Sequence, residues 1–126
     1  MNERGCPVLF EADEASLVLE GVNFETSSAQ LTPEAASVLD RVATALNDNP
    51  DVRVRVIGHT DASGARAFNV QLSQARAESV TAYLATRGVR AERMEAMGVG
   101  PDRPIADNST AEGRRTNRRV VLERIN

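Results

Sequence analysis

Lysine and tryptophan are absent from this chain, Cys6 is its only cysteine, and aromatic residues make up 3% of it. Each shortage narrows what the chain can do. With so few rings the core must be aliphatic, which argues against a base-stacking surface or an aromatic-rich sugar platform. All fifteen basic residues are arginine and the formal net charge is −3. Broad attraction to nucleic acid or to an anionic bilayer is therefore not expected. A carboxylate that needs a cationic partner must find a guanidinium, a planar donor able to bind with two N–H groups at once. His59 is the only histidine, so no His-rich metal site is expected, and Cys6 lies far from it in sequence. No run approaches ~18 apolar residues, the length of a membrane span. No charged segment followed by an apolar one marks a signal peptide. The chain then reads as cytosolic or as a piece of a longer exported protein.

What is present fits one domain. The 126 residues, 41% of them hydrophobic, suffice for a single core. Residues 1–15, polar and acidic with Gly5 and Pro7, read as a linker remnant, leaving 16–126 as the domain. Ser16 to Phe24 is rich in Val and Leu, and a strand is expected over 17–23. Thr32-Pro33-Glu34 combines an N-cap, a proline in the first helical position and an early acid. Leu39, Val42, Ala43 and Leu46 follow at helical spacing, so a helix is expected over 33–48. Val52, Val54 and Val56 alternate with Arg53 and Arg55, which predicts a strand with one buried face over 52–58. A second, longer helix is predicted over 67–87 with Gly88 closing it. Strands are expected over 94–99 and 119–125, with a turn or helical stub between Gly113 and Asn117. The order predicts an α/β (α+β) sandwich: a βαβαββ-type mixed sheet with two main helices on one face.

The long helix contains an anomaly. Phe68, Leu72, Val80 and Leu84 share an i, i+4 stripe, and Arg76 stands in the middle of it. A guanidinium among core residues costs several kcal/mol or so unless it is paired and hydrogen-bonded. Asn69 and Ser73 add polar groups on an adjoining face. The nearest counter-charge in sequence is Asp61, where the strand over 52–58 gives way to the loop before this helix. Two readings stay open. The pair is an internal salt bridge that pins loop to helix, or it is a split pair awaiting a zwitterion, with Asp61 for an ammonium and Arg76 for a carboxylate.

The residues around that pair resemble a known family. The run HTDASGARAFNVQLSQARAESVTAYLATRGV, His59 to Val89, resembles the signature of the OmpA-like C-terminal domain, T-D-x-x-G followed by N-x-x-L-S-x-x-R-A-x-x-V-x-x-Y-L. GVGPDRPIADNSTAEGRRTNRRV, Gly98 to Val120, resembles its closing pattern G-x-G-x-x-x-P-x-x-x-N-x-T-x-x-G-R-x-x-N-R-R-V. The resemblance runs from about Val18 to Ile125. It implies a non-catalytic module without cofactor or metal. Its partner would be peptidoglycan, held through the diaminopimelate side chain of the stem peptide, whose free end is a zwitterion. The family's essential pair falls on Asp61 and Arg76, and further pocket contacts fall on Asn69 and Arg118. Thr60, Ser63 and Leu72 stand where lining residues are expected. One departure concerns the loop after the first strand: the family often has F-D-x-x there, and this chain has Phe24-Glu25-Thr26-Ser27, which leaves Ser27 as the candidate loop contact. The resemblance also implies a periplasmic domain of a bacterial outer-membrane or envelope protein. Such a domain reaches the membrane only through an upstream segment, whether barrel, lipoprotein or stator. Gly5-Cys6-Pro7-Val8 is similar to the end of the calcium-binding, thrombospondin type-3-like linker that precedes the domain in some porin-like members.

Two rival functions remain at this level. One is a wall-acting enzyme with His59 and Asp61 as acid and base, although Ser63 and Ser73 lack the context of an activated nucleophile. For His59 the plainer expectation is a structural hydrogen bond at the strand end. The other rival is a purely structural domain whose Asp61–Arg76 pair is internal. Arg114, Arg115, Arg118, Arg119 and Arg124 also read as a solvated basic face, with Arg118 singled out only by the motif.

Overall fold

Helix α1, Pro33–Asp48, starts where capping chemistry puts it. The Thr32 hydroxyl accepts a hydrogen bond from the Ala35 amide at 3.2 Å, and Pro33 fills a first-turn position whose amide would have no helical partner. Its buried residues, Ala35, Leu39, Val42, Ala43, Ala45 and Leu46, form one continuous stripe. Its C-terminal end carries no basic residue of its own. Arg93 serves instead, donating to the carbonyls of Leu46 (2.9 Å), Asn49 (2.8 Å) and Val52 (3.0 Å). A distant guanidinium thus adds bonds to backbone acceptors at and just beyond the helix end.

The computed structural model describes residues 16–19, 24 and 28–125. Strand β1 is Ser16–Val18, β2 is Val54–His59, β3 is Met94–Gly100 and β4 is Arg119–Arg124. They form one sheet in the order β1-β4-β2-β3, with β2 and β3 parallel and both pairs involving β4 antiparallel. Helix α2, Arg66–Thr86, provides the crossover that the parallel pair β2 and β3 requires. A short helix α3, Ala111–Asn117, precedes β4. The mixed sheet and the placement of the two main helices agree with the architecture expected from the sequence. The stretch left open as turn or stub is a helix, capped by the Thr110 hydroxyl at the Gly113 amide. Of the strand expected over 17–23, residues 20–23 lie outside the described residues, as do the 1–15 linker and Cys6.

One apolar cluster joins the layers. Val54 and Val56 of β2 and Val120 and Leu122 of β4 face the same side. They meet Leu39, Val42 and Leu46 of α1 and Ala77, Val80 and Leu84 of α2. The C-terminal end of α2 is fixed by a Schellman arrangement: the Gly88 amide bonds the Ala85 carbonyl, and the Val89 amide bonds that of Leu84. Gly88 has φ +96°, which favours glycine, and Val89 is buried beyond it. Among the described residues, no helix is long and apolar enough to cross a membrane.

The N-terminal half of α2 lies unusually close to the sheet. A Cβ on Gly58 would strike the carbonyl oxygen of Ser73, and one on Gly98 would strike the Gln74 amide nitrogen, both well inside contact distance. Polar side chains of the helix complete the seat. Gln74 accepts from the Gly98 amide (2.8 Å) and donates to the Ala96 carbonyl (3.1 Å), so it satisfies backbone groups on the edge strand β3. Ser73 accepts from the Gly100 amide at 2.9 Å. Overpacking of this kind of contact costs about 1–3 kcal/mol. Gly98→Ala is therefore expected to lower the unfolding free energy by about that amount, read as a lower urea midpoint with an unchanged m value. An unchanged midpoint would mean that the contact between helix and strand is slack.

Candidate functional site

The candidate functional residues gather where β2 ends and α2 begins. Thr60 continues the chain off β2, its amide held by the Gly100 carbonyl at 2.9 Å. Its hydroxyl donates to the Asp61 carbonyl at 2.8 Å. Asp61 then folds back on its own loop: Oδ1 accepts from the Ser63 amide at 2.9 Å, the turn that short acidic side chains favour. Asn69, buried on α2, donates to the Ser63 carbonyl at 2.7 Å, so the loop is held at both Asp61 and Ser63. These bonds leave Asp61 7% exposed and facing an open pocket of about 830 Å³.

Seven of the eight site residues expected from the sequence line that pocket: Thr60, Asp61, Ser63, Asn69, Leu72, Arg76 and Arg118. The eighth, Ser27, lies outside the described residues. Asn69 also belongs to the buried face of the helix, because its amide is committed to the loop.

The charge pairing rules out the internal Asp61–Arg76 salt bridge and adds a partner for Asp61 that the split-pair reading did not include. Asp61 pairs with Arg118, whose Nη1 donates to Oδ2, and not with Arg76. Arg76 donates its Nε to the Ser28 carbonyl at 2.8 Å and lies 4.9 Å from the centroid of the Phe24 ring. A carbonyl dipole and an aromatic face both favour a cation without neutralising it. No carboxylate among the described residues bonds Arg76. Partial burial, and then the Arg118 charge, lower its pKa from the usual arginine value, with Asp61 opposing. Burial would by itself raise the Asp61 carboxyl. Hydrogen bonds from the Ser63 amide and from Arg118 outweigh it and hold the group below its ordinary value.

The position of Arg76 on the helix also needs correcting. The residues of α2 that are buried are Asn69, Ser73, Ala77, Val80 and Leu84. The core stripe is thus rotated by one residue from Phe68, Leu72 and Arg76, which form the flank that faces the pocket. Phe68 is 52% exposed. The glycine seats beneath the helix admit small polar side chains where a larger hydrophobe was expected, and this turns the aromatic and the arginine outward.

Sequence reasoning missed several lining groups. Phe24, bridged to Leu31, lies far away in sequence, and the motif that contains it singles out only Ser27 as a contact. Arg115 was read as part of a solvated face, yet it lines the pocket. It stands three residues before Arg118 across α3, a spacing that becomes informative once the stub is known to be helical. Asn117 is fully buried. Its Oδ1 accepts from the amides of Ile105 (2.7 Å) and Ala106 (3.0 Å), and its Nδ2 donates to Ala106 O and Asn108 Oδ1. It thereby anchors the loop before α3 and sets the base from which Arg118 projects.

His59 departs from the expected hydrogen bond. It is 6% exposed, and its Nδ1 has no partner among the described residues. Burial first, then the charges of Arg119 and Arg103, lower its pKa from 6.5 to about 4. Among the described residues, no group of His, Cys, Asp and Glu side chains is arranged to hold a metal ion.

Comparisons with known proteins place this geometry. The model of the OmpA family matches residues 23–118. The chain is 50% identical over 123 residues to the probable lipoprotein YiaD of Escherichia coli (strain K12), covering 97% of this chain and 56% of that protein. It is 42% identical over 101 residues to the peptidoglycan-binding protein ArfA of Mycobacterium tuberculosis, covering 80% of this chain and 31% of that one. The chain thus spans about half, or less, of these relatives. Its fold superposes on the crystal structure of the peptidoglycan-associated lipoprotein from Burkholderia pseudomallei with a TM-score of 0.74 and 28% identity, covering 89% of this chain and 91% of that one.

The lowered pKa of His59 has a consequence for stability. The unfolded chain takes up a proton near pH 6.5, and the native state resists until about pH 4. The contribution of the neutral imidazole is complete above pH 6.5 and is lost as pH falls towards 4, at up to ~1.4 kcal/mol per pH unit. Asp61 loses its contribution only at still lower pH, below its ordinary value of 3.8. Denaturant titrations between pH 7 and 4.5 are expected to show falling stability in the wild type and a flatter profile in His59→Gln. Parallel profiles would show that His59 is already protonated or solvated in the native state.

Proposed function

The chain belongs to the OmpA family, and from that premise we propose that it binds peptidoglycan non-covalently through the zwitterionic end of a diaminopimelate side chain in the stem peptide. The observation that carries this reading is the unequal pairing in the pocket. Asp61 has one guanidinium, Arg118, whereas Arg76 has no carboxylate among the described residues. Such a site has room for one more anion and retains an acceptor for a cation. Arg76 spends only its Nε on Ser28, so its terminal N–H groups stay available for a ligand carboxylate. Asp61 accepts one bond at each oxygen and keeps further lone pairs for an ammonium. Phe24, Phe68 and Leu72 supply an apolar wall for the aliphatic stem between the peptide backbone and the charged end.

The wall-acting enzyme finds less support. His59 is buried and held neutral by its surroundings. The Ser73 hydroxyl is engaged between the Val70 carbonyl and the Gly100 amide. Neither arrangement presents an activated nucleophile. The internal salt bridge between Asp61 and Arg76, on which the purely structural reading rests, is replaced by the bond to Arg118. On the proposed reading the module is non-catalytic. It works in the periplasm, tethers an outer-membrane or envelope protein to the wall, and reaches the membrane only through a segment upstream of the domain.

Asp61→Ala and Arg76→Ala are each expected to lose peptidoglycan pull-down while circular dichroism shows a retained fold. Each removes one charge-assisted contact worth roughly 1.5–3 kcal/mol, about ten- to hundredfold in affinity. Calorimetry with matched muropeptides is expected to favour the diaminopimelate type over the lysine type by more than about tenfold, because lysine lacks the carboxylate that Arg76 would pair. Equal affinity for the two would sink the assignment of Arg76, and unfolding of both variants would return the pair to a structural role.

A further inference from the structure

The pocket holds more positive charge than one zwitterion uses. Arg76, Arg115, Arg118 and Arg119 line it, against the single carboxylate of Asp61 among the described residues. His59, also on the lining, is neutral at pH 7. A zwitterionic side chain brings one carboxylate and one ammonium, so its arrival leaves that excess unchanged. The four guanidiniums are not equivalent. Arg118 is committed to Asp61. Arg119 donates to the carbonyls of Asn117 (3.2 Å) and Arg103 (2.9 Å), which fix its head. Arg115 has no ion-pair or hydrogen-bond partner among the described residues, although it lines the same pocket.

Its place in the fold is set. Arg115 and Arg118 are three residues apart at the end of α3 and so project from one side of it. The buried Asn117 between them, with its four hydrogen bonds, fixes that end of the helix. The pocket is also large for one amino-acid side chain, since its 830 Å³ lies in the range of sites that take drug-sized ligands.

We propose that Arg115 is a specificity-determining residue that reads a second carboxylate on the same peptide, apart from the zwitterionic end. The ligand class is then a peptide with a diamino-acid zwitterion and a further free carboxylate nearby. Two sources carry that chemistry: the C-terminal carboxylate of the peptide, and the α-carboxylate of a γ-linked residue preceding the diamino acid. This inference rests on the zwitterion reading above and extends it to a subsite of its own.

Four synthetic tripeptides, γ-D-glutamyl-diaminopimelyl-D-alanine and its forms amidated at the first residue, at the C terminus or at both, separate the cases by calorimetry against wild type and Arg115→Gln. The substitution is expected to weaken the fully free peptide about three- to fivefold, the size of an exposed ion pair, and the effect should shrink with added salt. The doubly amidated peptide should bind both proteins equally. Whichever single amidation erases the Arg115 effect identifies the carboxylate. If Arg115→Gln weakens all four peptides alike, or none of them, the subsite is overturned while the zwitterion reading stands. If no peptide binds the wild type, or Asp61→Ala binds them as well as the wild type, both readings fall together.

Discussion

The seating of α2 on β2 and β3 is the contact on which the rest of the structure depends. Two strand glycines, Gly58 and Gly98, let the helix backbone come down to the sheet at Ser73 and Gln74. At that depth Ser73 and Gln74 reach backbone groups of β3, and Asn69 reaches the loop after β2. The helix thus holds in one grip the edge strand, the loop that carries Asp61, and its own pocket flank of Phe68, Leu72 and Arg76. Raising the helix by the thickness of a methyl group would disturb all three, because close-packed interiors transmit such shifts.

That grip decides the electrostatics. Were Arg76 on the buried stripe, its charge would need a dedicated carboxylate, since an unpaired ion in an apolar interior costs several kcal/mol. On the flank it keeps part of its hydration, and the Ser28 carbonyl and the Phe24 ring offset much of the rest. The cation is therefore held in position without being neutralised. Asp61 shows the complementary solution. It is nearly buried and paired, with the Ser63 amide and Arg118 fixing both oxygens. Asp61 thus has a guanidinium partner in the protein and Arg76 has no carboxylate among the described residues, the asymmetry on which the proposed recognition of a zwitterion rests.

Much of the fold was legible because its signals are local. The Thr32 cap and Pro33 place the start of α1, the Val alternation marks β2, and Gly88 ends α2 within a residue of the expected position. The candidate site was legible in composition: a charged residue in an apolar period and an acid at the end of a strand. Its pairing was not, because Arg118 lies 57 residues from Asp61 and no periodicity links them. The helical face was misassigned for a related reason. Hydrophobic spacing identified Phe68 and Leu72 as core; the glycines on strands β2 and β3 explain why Ser73 lies inside instead, and the bond to the Ser63 carbonyl explains Asn69. Arg93 at the end of α1, and Asn117 under the loop before α3, are likewise long-range polar staples that no local pattern reports.

The same asymmetry limits what one pocket can do. On the proposed reading a half-hydrated guanidinium exchanges water for the ligand carboxylate, so only the difference between the two contacts appears as binding energy. A pocket that excluded water would bind more tightly, but it would need to bury Arg76 unpaired in the free protein, and the fold would bear that cost at all times. Modest affinity per site follows from having a stable empty state. On the proposed reading the loss is made up by the target. A polymer that repeats the same peptide end presents many sites at high local concentration, and many envelope proteins, each held weakly, are together held firmly. On that reading, the design that keeps the free domain folded is the one that makes anchoring collective and each single attachment reversible.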